Sequence, residues 1–223
     1  MDHLRPIWNL LNQLVAAVAL LLLSPVFLGV ALWIRVADGK GIFFVQDRAG
    51  RGGRTFRILK FRSMVHDNLA VGARLGMANP NDLLENDPRI TRCGRILRAT
   101  SLDELPQLIN VLRGQMNLVG PRPDVLPQVA EYSAEDARRL EVRPGITGWA
   151  QINGRDAIPW SERFVLDRWY IDNWSPLLDL RIIWRTFQGS HRGDLPALVE
   201  KLPAQRVPGE STRDLGHAAQ RVP

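Results

Sequence analysis

The sequence predicts a mainly helical α/β chain with one small β-hairpin, fixed to a membrane by its N-terminal segment. Three observations carry this reading. Residues 14–34 form an apolar run with no charged side chain. Two β-prone stretches, GIFFVQ (41–46) and TFRILKFR (55–62), flank the turn residues Gly50, Gly52 and Gly53. Beyond Asp103, apolar residues recur at helical spacing in several segments.

Composition bounds the rest. A chain of 223 residues suits one domain or one and a half, and buries a core without disulfides. Hydrophobic residues make up 45% and charged residues 23%, which excludes disorder throughout. Cys93 is the single cysteine, so no intramolecular disulfide framework exists, in keeping with a reducing compartment. Four scattered histidines and that thiol do not make a Cys/His zinc site. Lys and Arg number 29 against 23 Asp and Glu. The expected partners are a membrane surface, an anion, or both, with no nucleic acid.

The charge is localised. Residues 35–62 carry eight basic and two acidic side chains, an excess equal to the net +6 of the whole chain. This patch directly follows the apolar run, the pattern of a membrane segment whose C-terminal side faces the cytoplasm and anionic lipid. A cleaved signal peptide is the alternative. The run is longer than a normal signal core, and no Ala-x-Ala cleavage site follows it.

At about 1.5 Å per residue the run reaches about 31 Å, just enough for a hydrocarbon core. Ser24-Pro25 lies near its middle. The proline removes an amide hydrogen bond and bends the helix, and the serine hydroxyl can take up a freed carbonyl. Trp8 and Trp33 bracket the run at positions suited to headgroups. A straight helix puts them on opposite faces; a helix broken at Pro25 returns them to one. Physics alone leaves crossing and returning equally open.

Further along, residues 71–87 are polar and predict a loop with at most a short helix. Leu105, Leu108, Ile109 and Leu112 predict a helix stopped by Gly114. Residues 131–141 read as a helix ended by Arg143-Pro144-Gly145, and 160–173 as another. In 175–188, Leu177, Leu180, Trp184 and Phe187 share one helical face. A core-facing surface helix is the ordinary reading; Trp and Arg beside a membrane anchor raise the alternative of one lying in the interface. From Ser190 onward aromatics are absent and Gln-Arg-Val-Pro occurs twice, so 190–223 reads as a disordered tail.

The chemistry concentrates at Ser101-Leu102-Asp103-Glu104-Leu105-Pro106. Ser101 with Glu104 matches an ordinary capping box. That register costs a hydrogen bond at Pro106, whereas a helix capped by Asp103 does not. The helix is therefore expected to begin at Asp103, with its dipole keeping that carboxylate ionised. An ionised carboxylate can attack phosphorus, and the neighbouring Glu104 can hold a hard cation.

Basic side chains supply the other half of a phosphate site. Lys60 and Arg62 stand two apart in KFRSM and share a face if extended. Arg122 lies in Gly120-Pro121-Arg122-Pro123, Arg143 precedes Pro144-Gly145, and Arg155 follows Asn153-Gly154. Each alone reads as a solvated charge. Several in rigid Pro/Gly contexts beside a carboxylate pair suit phosphate oxygens.

Ser24-Pro25, KFRSM (60–64), SLDELPQLINVLRGQMNLVGPRP (101–123), RPGITGWAQINGR (143–155) and the Asp167-Arg168-Trp169-Tyr170 region together resemble the bacterial sugar transferases. These are the small monotopic phosphoglycosyl transferases that begin lipid-linked glycan assembly. The resemblance spans about 10–187 in the family's order, and DELPQ followed by GPRP and RPGITGW is its most specific part.

The resemblance implies a re-entrant membrane helix over 1–36, broken at Ser24-Pro25, entering and leaving on the cytoplasmic face of the bacterial inner membrane. It implies a catalytic domain over 37–189 with interfacial amphipathic helices, the 190–223 tail lying outside. The implied reaction moves a phosphosugar from a nucleotide diphosphate sugar, usually a UDP-sugar, to polyprenyl (undecaprenyl) phosphate, releasing UMP, as in exopolysaccharide and glycoconjugate synthesis. The family's catalytic pair falls on Asp103, the nucleophile, and Glu104, the ligand of an expected Mg²⁺. Lys60, Arg62, Arg122, Arg143 and Arg155 are the phosphate or nucleotide candidates. Asp167 matches a family position without an assigned role. Two other classes compete: a non-enzymatic membrane-surface module, and a membrane-bound phosphohydrolase using Asp103.

Overall fold

Proline and serine chemistry breaks the N-terminal helix where the sequence places the break. In the computed structural model, which describes residues 4–77, 84, 86–154 and 158–188, α1 runs Arg5–Leu22 and α2 runs Ser24–Ala37. The join is Leu23, with Pro25 in the first turn of α2, where its missing N–H leaves no bond unmade. The Ser24 hydroxyl donates to the freed Leu21 carbonyl at 2.8 Å. Among the described residues α1 alone is long and apolar enough to cross a membrane, by length and composition.

The burial of α1 is inverted. Its buried positions are Asn12 and Ala16, while Leu10, Leu14, Leu21 and Leu22 are exposed. Asn12 accepts the Leu118 N–H at 2.9 Å, and Asn9 accepts from the Asn117 amide at 2.8 Å. The helix thus turns polar contacts towards the remaining chain and leucines away from it.

Two apolar clusters hold this segment to the remaining chain. Ala16 packs with Phe56, Ile58, Leu108, Val111 and Met116; Val30 and Ile34 of α2 pack with Phe61, Cys93 and Leu97. Leu105 touches both clusters. The residue after the Asp103-Glu104 pair is thus wedged between the two halves of the broken helix.

The expected hairpin forms from β1 (Phe43–Ala49) and β2 (Thr55–Phe61), antiparallel from Phe43↔Phe61 to Ala49↔Thr55. Gly52 and Gly53 take the positive φ its turn requires. Next come α3 (Asn68–Arg74), α4 (Arg92–Ala99) and α5 (Gln107–Leu112). The sequence reading had no α4; Thr91 caps it by accepting the Gly94 N–H at 2.9 Å.

A second sheet was also not anticipated. β3 (Asn117–Val119) and β4 (Gly145–Thr147) pair in parallel. Here Gly120 and Gly145 approach so closely that a Cβ on Gly145 would lie 2.0 Å from the Gly120 nitrogen. Between these strands lie α6 (Leu126–Ala130) and a 3-10 turn over Asp136–Glu141, in place of the helix expected over 131–141.

The remaining helices are α7 (Trp149–Ile152), α8 (Trp160–Asp172) and α9 (Pro176–Gln188). On α9 the buried residues are Asp179 and Ile182, while Trp184 and Phe187 are 66% and 85% exposed. The core-facing reading of that apolar face is therefore wrong. The expected tail lies outside the described residues.

Candidate active site

Three pieces of chain converge on the acidic pair. Ser101 takes a left-handed conformation (φ 56), and a 3-10 turn follows over Leu102–Glu104. The α-helix proper starts only at Gln107, with Pro106 at its N-cap. The expected helix start at Asp103 is corrected accordingly, and so is the expectation that a helix dipole keeps this carboxylate ionised. Burial instead pushes the Asp103 carboxyl up, against the pull of Lys60.

Asp103 and Glu104 are 7% and 9% exposed. Glu104 is dressed: its Oε1 accepts from Lys60 Nζ at 3.0 Å and from Arg122 Nη1 at 3.1 Å. Burial works to raise Glu104, but Arg122 and Lys60 outweigh it and bring its carboxyl down to about 2. Burial lowers Lys60 in turn, with Arg122 adding to the effect. Asp103 by contrast accepts no hydrogen bond from the described residues. Two adjacent carboxylates are thus differentiated, one clamped by cations and one left bare.

A second charged group braces the loop that carries Arg122. Arg139 is 5% exposed; its Nε donates to Asp167 at 2.9 Å and its Nη2 to the Arg122 carbonyl at 3.1 Å. Its Nη1 bonds Asp124 and the Tyr132 hydroxyl, which itself bonds Asp124. The guanidinium carbon lies 4.3 Å from the Phe164 ring centroid. Burial opposes the charge on Arg139, yet Asp167 and Asp124 raise its pKa further. Burial carries Asp167 up to about 6, with Arg139 opposing. Asp167 thereby gains a physical role, as partner of the arginine that grips the Arg122 backbone.

A cleft of about 1200 Å³ runs across both groups. Its lining brings together Lys60, Arg62, Asp103, Glu104, Arg122 and Asp167 from the residues singled out in the sequence. It adds Arg48, Arg98, Asp124 and Arg139, which sequence reasoning missed. Asp124 follows GPRP directly and could have been flagged; Arg139 stands in no motif. Arg62 is 5% exposed and its Nη2 donates to the Asp38 carbonyl at 2.9 Å, capping the exit of α2. Arg143 is not among the cleft-lining residues, and its guanidinium approaches Gly114. Arg155 lies outside the described residues.

The donor set suits a magnesium ion that also binds substrate. No three His, Cys, Asp or Glu side chains gather among the described residues. Asp103 and the second oxygen of Glu104 are free of protein partners among them, and Mg²⁺ characteristically uses one or two carboxylates together with substrate phosphates and water.

A family model described as bacterial sugar transferase matches residues 4–193. The chain is 46% identical over 177 residues to the sugar transferase EpsL of Bacillus subtilis (strain 168), covering 79% of this chain and 83% of that protein. It is 40% identical over 194 residues to the exopolysaccharide production protein ExoY of Rhizobium meliloti (strain 1021), covering 82% and 86%. A UDP-glucose:undecaprenyl-phosphate glucose-1-phosphate transferase of Xanthomonas campestris pv. campestris is 43% identical over 181 residues. That match covers 77% of this chain and 36% of the longer relative.

Proposed function

The chain belongs to the bacterial sugar transferase family, and on that premise we propose that it transfers a sugar-1-phosphate from a UDP-sugar to undecaprenyl phosphate. The supporting observation is the bare, buried carboxylate of Asp103 beside a cation-clamped Glu104 in a basic cleft. The Xanthomonas relative's name supplies the donor and acceptor classes, and ExoY's name the setting of exopolysaccharide production.

Asp103 attacks the sugar-bearing phosphorus, and the bond to UMP breaks as the aspartyl-phosphosugar bond forms. A carboxylate without hydrogen bonds keeps its lone pairs available for that attack. The phosphate of undecaprenyl phosphate then attacks the same phosphorus and frees Asp103. Lys60 and Arg122 stabilise charge on the phosphates, with Arg62 further along the same wall. The second oxygen of Glu104 would hold a Mg²⁺ ion, which would neutralise charge on the diphosphate. Arg139, Asp124 and Asp167 keep the Arg122 loop in place.

The acceptor's lipid tail sets where this chemistry must occur. Residues 1–36 enter and leave the cytoplasmic face of the inner membrane as a re-entrant helix, with the catalytic domain over 37–189. The outward leucines of α1 and the break at Leu23 support this placement. Leu177, Leu180, Trp184 and Phe187 of α9 lie in the interface beside it.

The test is UMP release from a panel of UDP-sugars by detergent-solubilised protein with Mg²⁺ and undecaprenyl phosphate. Release that needs the acceptor and is abolished in Asp103→Asn is the expected result. Release of sugar phosphate without the acceptor would make the protein a hydrolase, and full activity of Asp103→Asn would remove Asp103 as nucleophile.

A further inference from the structure

Arg48 is the cation of the cleft wall that no motif drew attention to. It sits on β1, two residues beyond Gln46 on the same face of the strand. Its Nη1 donates to the Pro123 carbonyl at 3.1 Å and its Nη2 to Gln46 Oε1 at 2.7 Å. Its Nε is buried without a partner. Every acceptor it has among the described residues is neutral.

The neighbouring charge makes this costly. Arg122 is adjacent in sequence to the Pro123 that Arg48 grips, and the two guanidiniums repel each other. Burial, then Arg122, bring Arg48 down to about 10, with Asp124 and Glu104 opposing. Arg122 has Glu104 as its carboxylate; Arg48 has no ion-pair partner among the described residues. Two cations that repel each other in a cleft wall, one of them bonded only to neutral acceptors among the described residues, call for an external anion.

Resting on the donor reading above, we infer that Arg48 binds the phosphates of the nucleotide donor directly, acting with Arg122 as the second arm of a diphosphate clamp. Nη1 and Nη2 each make one hydrogen bond and each carry a second N–H, and those are the donors left for a phosphate oxygen. The grips on Pro123 and Gln46 fix the fork, so little side-chain entropy is lost when the anion arrives.

Isothermal titration of the full chain in Mg²⁺ buffer, with inorganic pyrophosphate and with UDP, tests this in wild type, Arg48→Lys and Arg48→Gln. The expected order is wild type, then Lys within about threefold, then Gln weaker by about tenfold or more for both ligands. The melting temperatures of the unliganded variants stay together. If Lys falls as far as Gln, Arg48 acts only by gripping the Pro123 carbonyl and the inference fails. Unchanged affinity in Gln overturns it equally. Wild type that binds pyrophosphate but not UDP would end the nucleotide-donor reading and leave the anion clamp standing; wild type that binds neither refutes the clamp.

Discussion

Trp8 on α1 donates its indole N–H to Asp179 on α9 at 2.7 Å, joining two elements 171 positions apart. The same carboxylate accepts from the Tyr170 hydroxyl at 2.8 Å and from the Trp174 indole at 3.3 Å. Three neutral donors from three parts of the chain thus meet on one buried acid, and α1 is tied to α9 there.

Burial raises Asp179 to about 6, against those three hydrogen bonds. A carboxyl raised on folding binds more protons in the folded state, so its contribution is complete below about pH 4 and is lost as pH rises through 6. Wild type should lose about 2–3 kcal/mol relative to Asp179→Asn between pH 4 and pH 7. Thermal melts of both proteins across that range read the difference. Parallel profiles would mean that Asp179 does not titrate there. Comparison with the Asn variant cancels the similar contribution of Asp167.

Gly145→Ala should prevent β3 and β4 from pairing. Its Cβ would meet the Gly120 nitrogen at 2.0 Å and the Thr147 carbonyl oxygen at 2.4 Å, both backbone atoms that cannot step aside. Gly120 begins the loop carrying Arg122, so the damage reaches the site. The expected loss is about 3 kcal/mol or more, with UMP release falling alongside. A variant that melts with wild type would show that the strands do not approach so closely.

These two cases mark what a sequence makes legible. The break before Pro25, the hairpin around Gly52 and Gly53, and the acidic pair of DELP depend on neighbours within a few residues, so local chemistry exposes them. The β3–β4 pair joins three-residue strands across a long connection, too short for any alternation to register. Arg139 carries no local signal, because its partners Asp124 and Asp167 are gathered by packing alone. For α9 the pattern identified the apolar face but not its surroundings, since lipid and protein core select the same residues. Rigid Pro/Gly context marked both Arg122 and Arg143, yet only Arg122 reaches the cleft.

Leu105→Ala should uncouple α1 and α2 from the acidic pair. The side chain packs against the Ala16 cluster and the Val30 cluster, and its backbone continues directly from Glu104. Truncation leaves a gap at the junction of α1 and α2, at a cost of about 2–3 kcal/mol. UMP release should fall further than the change in folded fraction explains, because the 3-10 turn over Leu102–Glu104 loses its support. Activity that tracks folded fraction alone would confine Leu105 to the core.

Glu104→Gln should cost more than the loss of one ion pair. One oxygen serves both Lys60 and Arg122, and the Lys60 and Glu104 side chains are only 16% and 11% exposed. Removing the charge leaves a buried ammonium facing a guanidinium without the carboxylate that is hydrogen-bonded to both, at a cost of about 3 kcal/mol. Lys60→Met in the same chain removes that repulsion, so the double variant should be more stable than Glu104→Gln alone, by about 1 kcal/mol or more. The pH dependence has a definite sign. A carboxyl lowered to about 2 stabilises the fold above the ordinary glutamate range, and that contribution is lost as pH falls towards 2. Melting curves of the four proteins of the cycle at pH 7, repeated at pH 4, measure both effects. Additive changes at pH 7 would show that Glu104 is not the shared counter-ion. On the proposed reaction the double variant stays inactive whatever its stability, because it lacks both the amine that faces the phosphates and the carboxylate that would hold Mg²⁺.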